Sequence, residues 1–145
     1  ELPTYDAQLA ADEPAAVRTF KAQLRAAHAV LIATPEYKGM LSRSLRNALA
    51  WIAHSDESAL VAGKSVAIMG IGRQTSSERQ HLILRQFLMH LGASIVGTPE
   101  VYVTAGWEKV DDEGNVTDGA THQQIRALVT SLAAQAREQE AVLIS

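Results

Sequence analysis

Three stretches of the chain combine small and apolar residues without the spacing of a helix. Residues 29–33 and 65–69 are apolar on both faces, which is typical of buried parallel strands. A third extended segment covers residues 94–97 and, after the break that Pro99 imposes, residues 101–104. The pattern therefore predicts three strands, a small number for an independently stable parallel sheet.

Four other stretches carry apolar residues three and four positions apart, the spacing of one helical face. The first helix is predicted to start at residues 12–14, and the others to be capped by Ser42 or Ser44, by Thr75 and by Thr121. Their inner faces are predicted to carry Val17, Phe20, Leu24 and Ala27; Leu45, Ala48, Leu49 and Ile52; Leu84, Phe87, Leu88 and Leu91; and Ile125, Leu128, Val129 and Leu132. This alternation of helices and strands predicts an α/β domain with a parallel sheet.

The composition is that of an ordinary globular domain, and we predict that residues 1–145 form a single one. Hydrophobic residues make up 47%, charged residues 20%, and the net charge is −3. No long basic run and no apolar stretch of about 20 residues is present, so we expect neither a nucleic-acid nor a membrane partner. The chain has no cysteine, which excludes disulfides and thiolate metal sites and permits the cytoplasmic location that we expect. The five histidines lack metal-site spacing, so no metal is expected.

Two loops follow the first two predicted strands. Pro35 ends the first strand and opens a loop to Gly39, while Gly70, Ile71 and Gly72 open the second loop. In an open parallel sheet, ligands bind at the carboxyl ends of the strands, so these loops are the candidate site. On spacing alone, both loops could also be ordinary strand-to-helix turns. The second loop lacks the third glycine and the acidic partner of a dinucleotide fingerprint, so a Rossmann site is not predicted.

Residues 34–51 closely resemble the signature of the NADPH-dependent FMN reductase family, whose members are flavodoxin-like flavoproteins. The matching residues are Pro35, Glu36, Tyr37, Gly39, Leu45, Asn47, Ala48, Leu49 and Trp51. Lys38 and Ala50 depart from the family's usual asparagine or histidine and its usual aspartate. The resemblance implies a flavodoxin-like three-layer α/β/α fold with a parallel sheet. It also implies an FMN-dependent NAD(P)H oxidoreductase that passes hydride from nicotinamide to flavin and on to a small-molecule acceptor: free flavin, a quinone, an azo or nitro compound, or a metal oxyanion.

The resemblance also implies which residues hold the flavin ring. They are Pro35, Glu36, Tyr37 and Lys38 at one edge and Gly70, Ile71 and Gly72 at the other. No catalytic side chain is predicted, because the cofactor carries the chemistry. The alternative function is a non-enzymatic flavodoxin-like module that binds a partner or carries electrons.

Two further expectations concern the start of the chain and its assembly. Family members place a strand, a phosphate-binding loop, a helix and a second strand before a segment like residues 2–6 here, so we expect this chain to match about the last three-quarters of the family domain. The first strand–helix–strand unit is then not in this sequence. Family members usually pair through two helices as dimers or tetramers, and a homodimer or homotetramer is expected here. Four residues lie off the inner faces of their helices and are therefore expected at that interface: Ala50, Trp51, Ile83 and Met89.

Overall fold

The computed structural model describes residues 1–35, 40–54, 60–72 and 78–144. The helices are α1 (Ala7–Ala10), α2 (Ala15–Ala26), α3 (Arg43–Ala53), α4 (Glu78–His90) and α5 (Gly119–Ile144), with a short 3-10 turn at Gly106–Glu108. The strands are β1 (Ala29–Pro35), β2 (Ser65–Gly72), β3 (Ser94–Ile95) and β4 (Val101–Thr104). Across these ranges, no helix has the length and apolar character that crossing a bilayer requires.

The four strands form one parallel sheet with β2 at its centre. Strand β1 pairs with β2 from Ala29 opposite Ser65 to Pro35 opposite Ile71. On its other side, β2 pairs with β3 at its amino end and with β4 at its carboxyl end. The predicted third strand is therefore two short strands that share one neighbour, separated by the segment around Pro99. The parallel α/β architecture predicted from the sequence is confirmed.

Two apolar clusters lie on opposite faces of the sheet. On one face, α3 and α4 pack against β2 through Leu49, Leu84, Leu88, Val66 and Ile68. On the other face, α5 covers β2 and β4, and the residues in contact there include Ala67, Val101, Val103, Leu128 and Leu132. Successive residues of β2 alternate between the two clusters, as the pleat of a strand requires. The result is a three-layer arrangement of helix, sheet and helix.

The helix starts test the predicted caps. Ser42 caps α3, because its Oγ accepts a hydrogen bond of 3.2 Å from the Leu45 amide. The prediction for Thr121 is wrong, since α5 already begins at Gly119 and the Asp118 carboxylate accepts a 2.8 Å hydrogen bond from the Thr121 amide. Thr121 itself is buried inside the first turn. The cap predicted at Thr75 lies outside the described residues.

Candidate functional site

The carboxyl ends of β1, β2 and β4 meet at one edge of the sheet. In the strand register, Thr34, Gly70 and Tyr102 form one row across the three strands. Pro35 lies opposite Ile71, so the structure brings the two predicted binding segments side by side. The other residues predicted on the β1 side, Glu36, Tyr37 and Lys38, lie outside the described residues.

The two glycines of β2 leave one face of this edge without side chains. Gly70 and Gly72 are two residues apart, so they point to the same face of the sheet, the face that α3 and α4 cover. Gly70 lies between the buried Thr34 on one side and Tyr102 on the other. At the end of β2, two buried glycines without side chains therefore lie next to an aromatic ring.

The intervening residue, Ile71, points to the opposite face and is fixed by the turn after β4. A Cβ built on Gly106 would lie 2.2 Å from Cδ1 of Ile71, so a larger residue at this position would require the Ile71 side chain to move. Ala105, just before it, has a left-handed backbone with φ of 49°. No pattern in the sequence predicted this support, because it depends on a contact between residues far apart in the chain.

The first turn of α4 brings two buried polar side chains next to this edge. Gln80 and His81 are both 1% exposed, and the His81 ring lies 4.5 Å from the Tyr102 ring, centroid to centroid. Nε2 of Gln80 donates a 2.7 Å hydrogen bond to the Met40 carbonyl. Within the described ranges, Oε1 of Gln80 and both ring nitrogens of His81 have no hydrogen-bond partner. Neither residue was predicted as part of the site, because two neighbouring polar residues in a helix carry no sequence pattern that distinguishes a buried pair from an exposed one.

Burial and charged neighbours shift the pKa values of His81 and Tyr102 at this edge. Burial lowers the pKa of His81, the nearby Arg85 charge lowers it further, and Glu100 partly opposes both, so the imidazole is neutral near pH 7. Burial and then the hydrogen bond to Glu100 raise the pKa of Tyr102 to about 12. The Tyr102 hydroxyl donates to the Glu100 carboxylate at 2.9 Å, and Arg85 pairs with the same carboxylate at 3.0 Å. Both rings therefore present uncharged surfaces.

Helix α3 places Trp51 in the interior of the chain and not at a subunit interface, where it was predicted. Trp51 is 1% exposed, its Nε1 donates a 2.9 Å hydrogen bond to the Pro3 carbonyl, and its ring meets Tyr5 edge-on at 5.0 Å. The Asn47 amide accepts from the Tyr5 amide at 2.8 Å and donates to the Pro3 carbonyl at 2.9 Å. The expectation of Trp51 at a subunit interface is therefore wrong, because residues 2–5 of the same chain cover it.

A separate cavity in the described part of the chain lies away from this edge. It measures about 630 Å³, between the amino-terminal segment and the first turn of α3, and shares no residue with the strand ends. Its lining consists of Glu1, Leu2, Thr4, Arg43, Ser44, Arg46 and Asn47. A flat, largely apolar ring needs a flat apolar surface with few polar groups, which the glycine-bearing strand edge matches better than this charged cavity.

Comparison with known proteins gives consistent results. Residues 1–108 match the NADPH-dependent FMN reductase family. An NAD(P)H-dependent FMN reductase of Pseudomonas aeruginosa is 33% identical over 134 residues, covering 90% of this chain and 71% of that protein. A quinone reductase of Escherichia coli K12 is 34% identical over 140 residues, with the same two coverages, 90% and 71%. FerB, a flavoenzyme NAD(P)H:(acceptor) oxidoreductase from Paracoccus denitrificans, superposes with a TM-score of 0.84 at 26% identity, covering 96% of this chain and 77% of that one.

Proposed function

Because the chain belongs to the NADPH-dependent FMN reductase family, we propose that the isoalloxazine ring of FMN lies across the carboxyl ends of β1 and β2. The observation that carries this proposal is the strand register, which places Pro35 opposite Ile71. The β2 side of the ring site is then formed by Gly70, Ile71 and Gly72. The β1 side is formed by Pro35 with the three residues that follow it, 36–38, as the resemblance implies.

The residues present fit a flat ring with a polar rim. Gly70 and Gly72 are buried and contribute no side chains on the α3 and α4 face, so a ring at the carboxyl end of β2 would meet only backbone atoms of these two residues. Tyr102 adds an aromatic border whose hydroxyl is already engaged by Glu100. These features support a slot for a neutral aromatic ligand.

The protein is an FMN-dependent oxidoreductase that uses NAD(P)H. Bound FMN supplies the group that accepts a hydride from the nicotinamide and gives electrons to a second acceptor. The chain's own residues hold the ring, and the two aromatic side chains on the β2 side are uncharged. Tyr102 remains protonated because its pKa is raised to about 12, and burial keeps His81 neutral.

We propose a quinone as the second acceptor. The Escherichia coli relative is named a quinone reductase, and the match to it covers 90% of this chain. A quinone is a flat, largely apolar molecule, so the surface that accepts nicotinamide can accept it after the nucleotide leaves. Steady-state oxidation of NADPH and NADH, with 1,4-benzoquinone or free FMN as acceptor, tests both the activity and this preference.

The activity assay has clear outcomes. We expect purified protein with added FMN to oxidise the nucleotide well above the rate of FMN alone, and faster with the quinone than with free flavin. Nucleotide oxidation that never exceeds the free-flavin background would contradict the proposed activity. Faster turnover with free flavin than with the quinone would retain the enzyme and reject the quinone.

We also propose a homodimer formed through α3 and α4. Leu82, Ile83 and Met89 on α4 are exposed, which makes an apolar surface next to a cavity of about 230 Å³ between the two helices. Apart from Arg46 and His54, residues with apolar side chains line this cavity: Leu41, Leu49, Ala50, Ala53, Ile83 and Phe87. An apolar patch rimmed by charged residues suits a second copy of the chain.

Light scattering after size exclusion tests the dimer. Ile83→Asp places a charge in the proposed interface and should give a monomer, since an unpaired charge is costly to bury. Val129→Asp is the matched control, because Val129 is also exposed but lies on α5 across the sheet. If both variants have the same mass as the unchanged dimer, the interface does not include Ile83 and lies elsewhere.

We place the protein in the cytoplasm, where NAD(P)H is made and consumed. The supporting observations are the dependence of its relatives on this nucleotide and the absence of cysteine from the chain. Fractionation of cells that produce the protein from its own gene should recover it with a cytoplasmic marker. Recovery with the membranes or outside the cells would contradict this placement.

A further inference from the structure

Gln80 is buried to a degree that is unusual for its residue type. Like its neighbour His81 it is 1% exposed, whereas Glu78, Arg79 and Gln86 on the same helix are exposed. Glutamine is rarely buried this completely unless its amide is engaged, because removing the amide from water costs free energy. The burial of Gln80 therefore calls for a reason other than the general packing of α4.

The hydrogen bond that Gln80 makes joins two distant parts of the chain. Its Nε2 donates to the carbonyl of Met40, 2.7 Å away and 40 residues earlier in the sequence. Met40 lies five residues after Pro35, the last residue of β1, and Gln80 lies in the first turn of α4, the helix that follows β2. One side chain thus ties together the two chain segments that flank the candidate ring site.

The other half of the Gln80 amide argues against a purely structural role. Its Oε1 is buried and accepts no hydrogen bond from any described residue. A buried acceptor without a partner lowers the stability of a fold, whereas an apolar side chain of similar length would fill the same space without that cost. The amide is therefore explained better by what its N–H group holds than by a contribution to folding.

We propose that Gln80 is a positioning residue for the flavin ring. By holding Met40 against α4, it fixes the chain that follows β1 at Met40 relative to the helix that follows β2, so the spacing between the two sides of the ring site is maintained. A flat ring held between two chain segments is bound tightly only while the distance between those segments is maintained. This inference rests on the proposed function, which places the ring between these two segments.

Gln80→Met tests the proposal against packing alone. Methionine has a similar length and volume but cannot donate to the Met40 carbonyl. Gln86→Met on the exposed side of the same helix is the matched control. Two readouts are needed: the dissociation constants for riboflavin and FMN by fluorescence quenching, and the urea midpoint of the flavin-free protein.

The expected result is a split between the two readouts. Gln80→Met should bind both flavins roughly tenfold or more weakly, while its flavin-free urea midpoint stays the same or rises. Gln86→Met should match the unchanged protein in both measurements. Unaltered flavin affinity in Gln80→Met would overturn the proposal and leave the proposed function intact, whereas no flavin binding by the unchanged protein would count against the proposed function itself.

A second variant keeps the test decisive where Gln80→Met does not fold. In Gln80→Glu, a protonated carboxyl group can still donate to the Met40 carbonyl, but an ionised one cannot. Flavin affinity of this variant should therefore fall from about pH 5 to about pH 8, with the unchanged protein measured in parallel to correct for other groups. An affinity ratio between the two proteins that stays constant over this range would overturn the proposal.

Discussion

Strands β1 and β2 have the same apolar pattern and end at the same edge of the sheet, yet their environments differ. The first four residues of β2 are all buried, whereas in β1 only Thr34 is buried and Leu31 is 40% exposed. The reason is position: β2 has strand neighbours on both sides, and β1 pairs with β2 alone among the described strands. An apolar run thus predicts a parallel strand well but does not tell a central strand from an edge strand.

The difference extends to how each strand is held. Alongside β1 lies an apolar cavity of about 270 Å³, between the strand and helices α2 and α3. The helix after β1 is instead fastened by side chains, through the bonds of Asn47 and Trp51 to the Leu2–Tyr5 segment. The β2 side is stabilised by burial and the β1 side by discrete contacts, which predicts different responses to mutation.

The largest difference is expected between truncations in the two strands. Ile68→Ala in β2 removes a side chain that is 2% exposed and should lower the free energy of unfolding by about 2–5 kcal/mol. Leu31→Ala in β1 should cost under about 1.5 kcal/mol, because much of that side chain already contacts water. Urea unfolding measures both. Equal costs would mean that β1 is covered in solution.

These differences mark what the sequence could predict. The start of β2 and a cap of α3 at Ser42 or Ser44 are local properties, and the spacing of residues predicted them. The end of β2 was predicted wrongly, because Gly70, Ile71 and Gly72 do not open a loop but continue the strand by pairing with β4. Trp51 was placed wrongly because the helical stripe identifies one buried face of α3, whereas the packing of residues 2–5 creates a second. The positions of Gln80, Tyr102 and Gly106 at the site depend on contacts with Met40, His81 and Ile71, and such distant pairs leave no periodic signal in one sequence.

A smaller effect is expected from removing the hydrogen bond between Trp51 and the Pro3 carbonyl on the β1 side. Trp51→Phe retains an aromatic ring near Tyr5 but removes the hydrogen bond to the Pro3 carbonyl, so it should lower the free energy of unfolding by about 1–2 kcal/mol. Proteolysis should then cut the amino-terminal segment faster. Unchanged stability and unchanged cleavage would show that this segment is held by other contacts.

The smallest effect is expected from pH on the β2 side. The folded-state pKa of His81 lies below its unfolded value of about 6.5, so the unfolded chain binds the proton first. The stability that neutral His81 contributes is therefore present above pH 6.5 and is lost as the pH falls below it, with a slope of at most about 1.4 kcal/mol per pH unit. His81→Phe keeps a ring beside Tyr102 and should flatten the dependence of the urea midpoint on pH in this range. The same slope in both proteins would assign it to other groups.

Amide chemical shifts of ¹⁵N-labelled protein, titrated with FMN and with riboflavin, locate the ring most directly. We predict that the largest shifts occur at Met40, Ile71 and Gly72, where the ends of β1 and β2 meet. The amides of Thr4, Arg43 and Ser44, which line the 630 Å³ cavity beside α3, should hardly move. Large shifts confined to that cavity, with Ile71 and Gly72 unaffected, would contradict the placement of the flavin ring at the sheet edge.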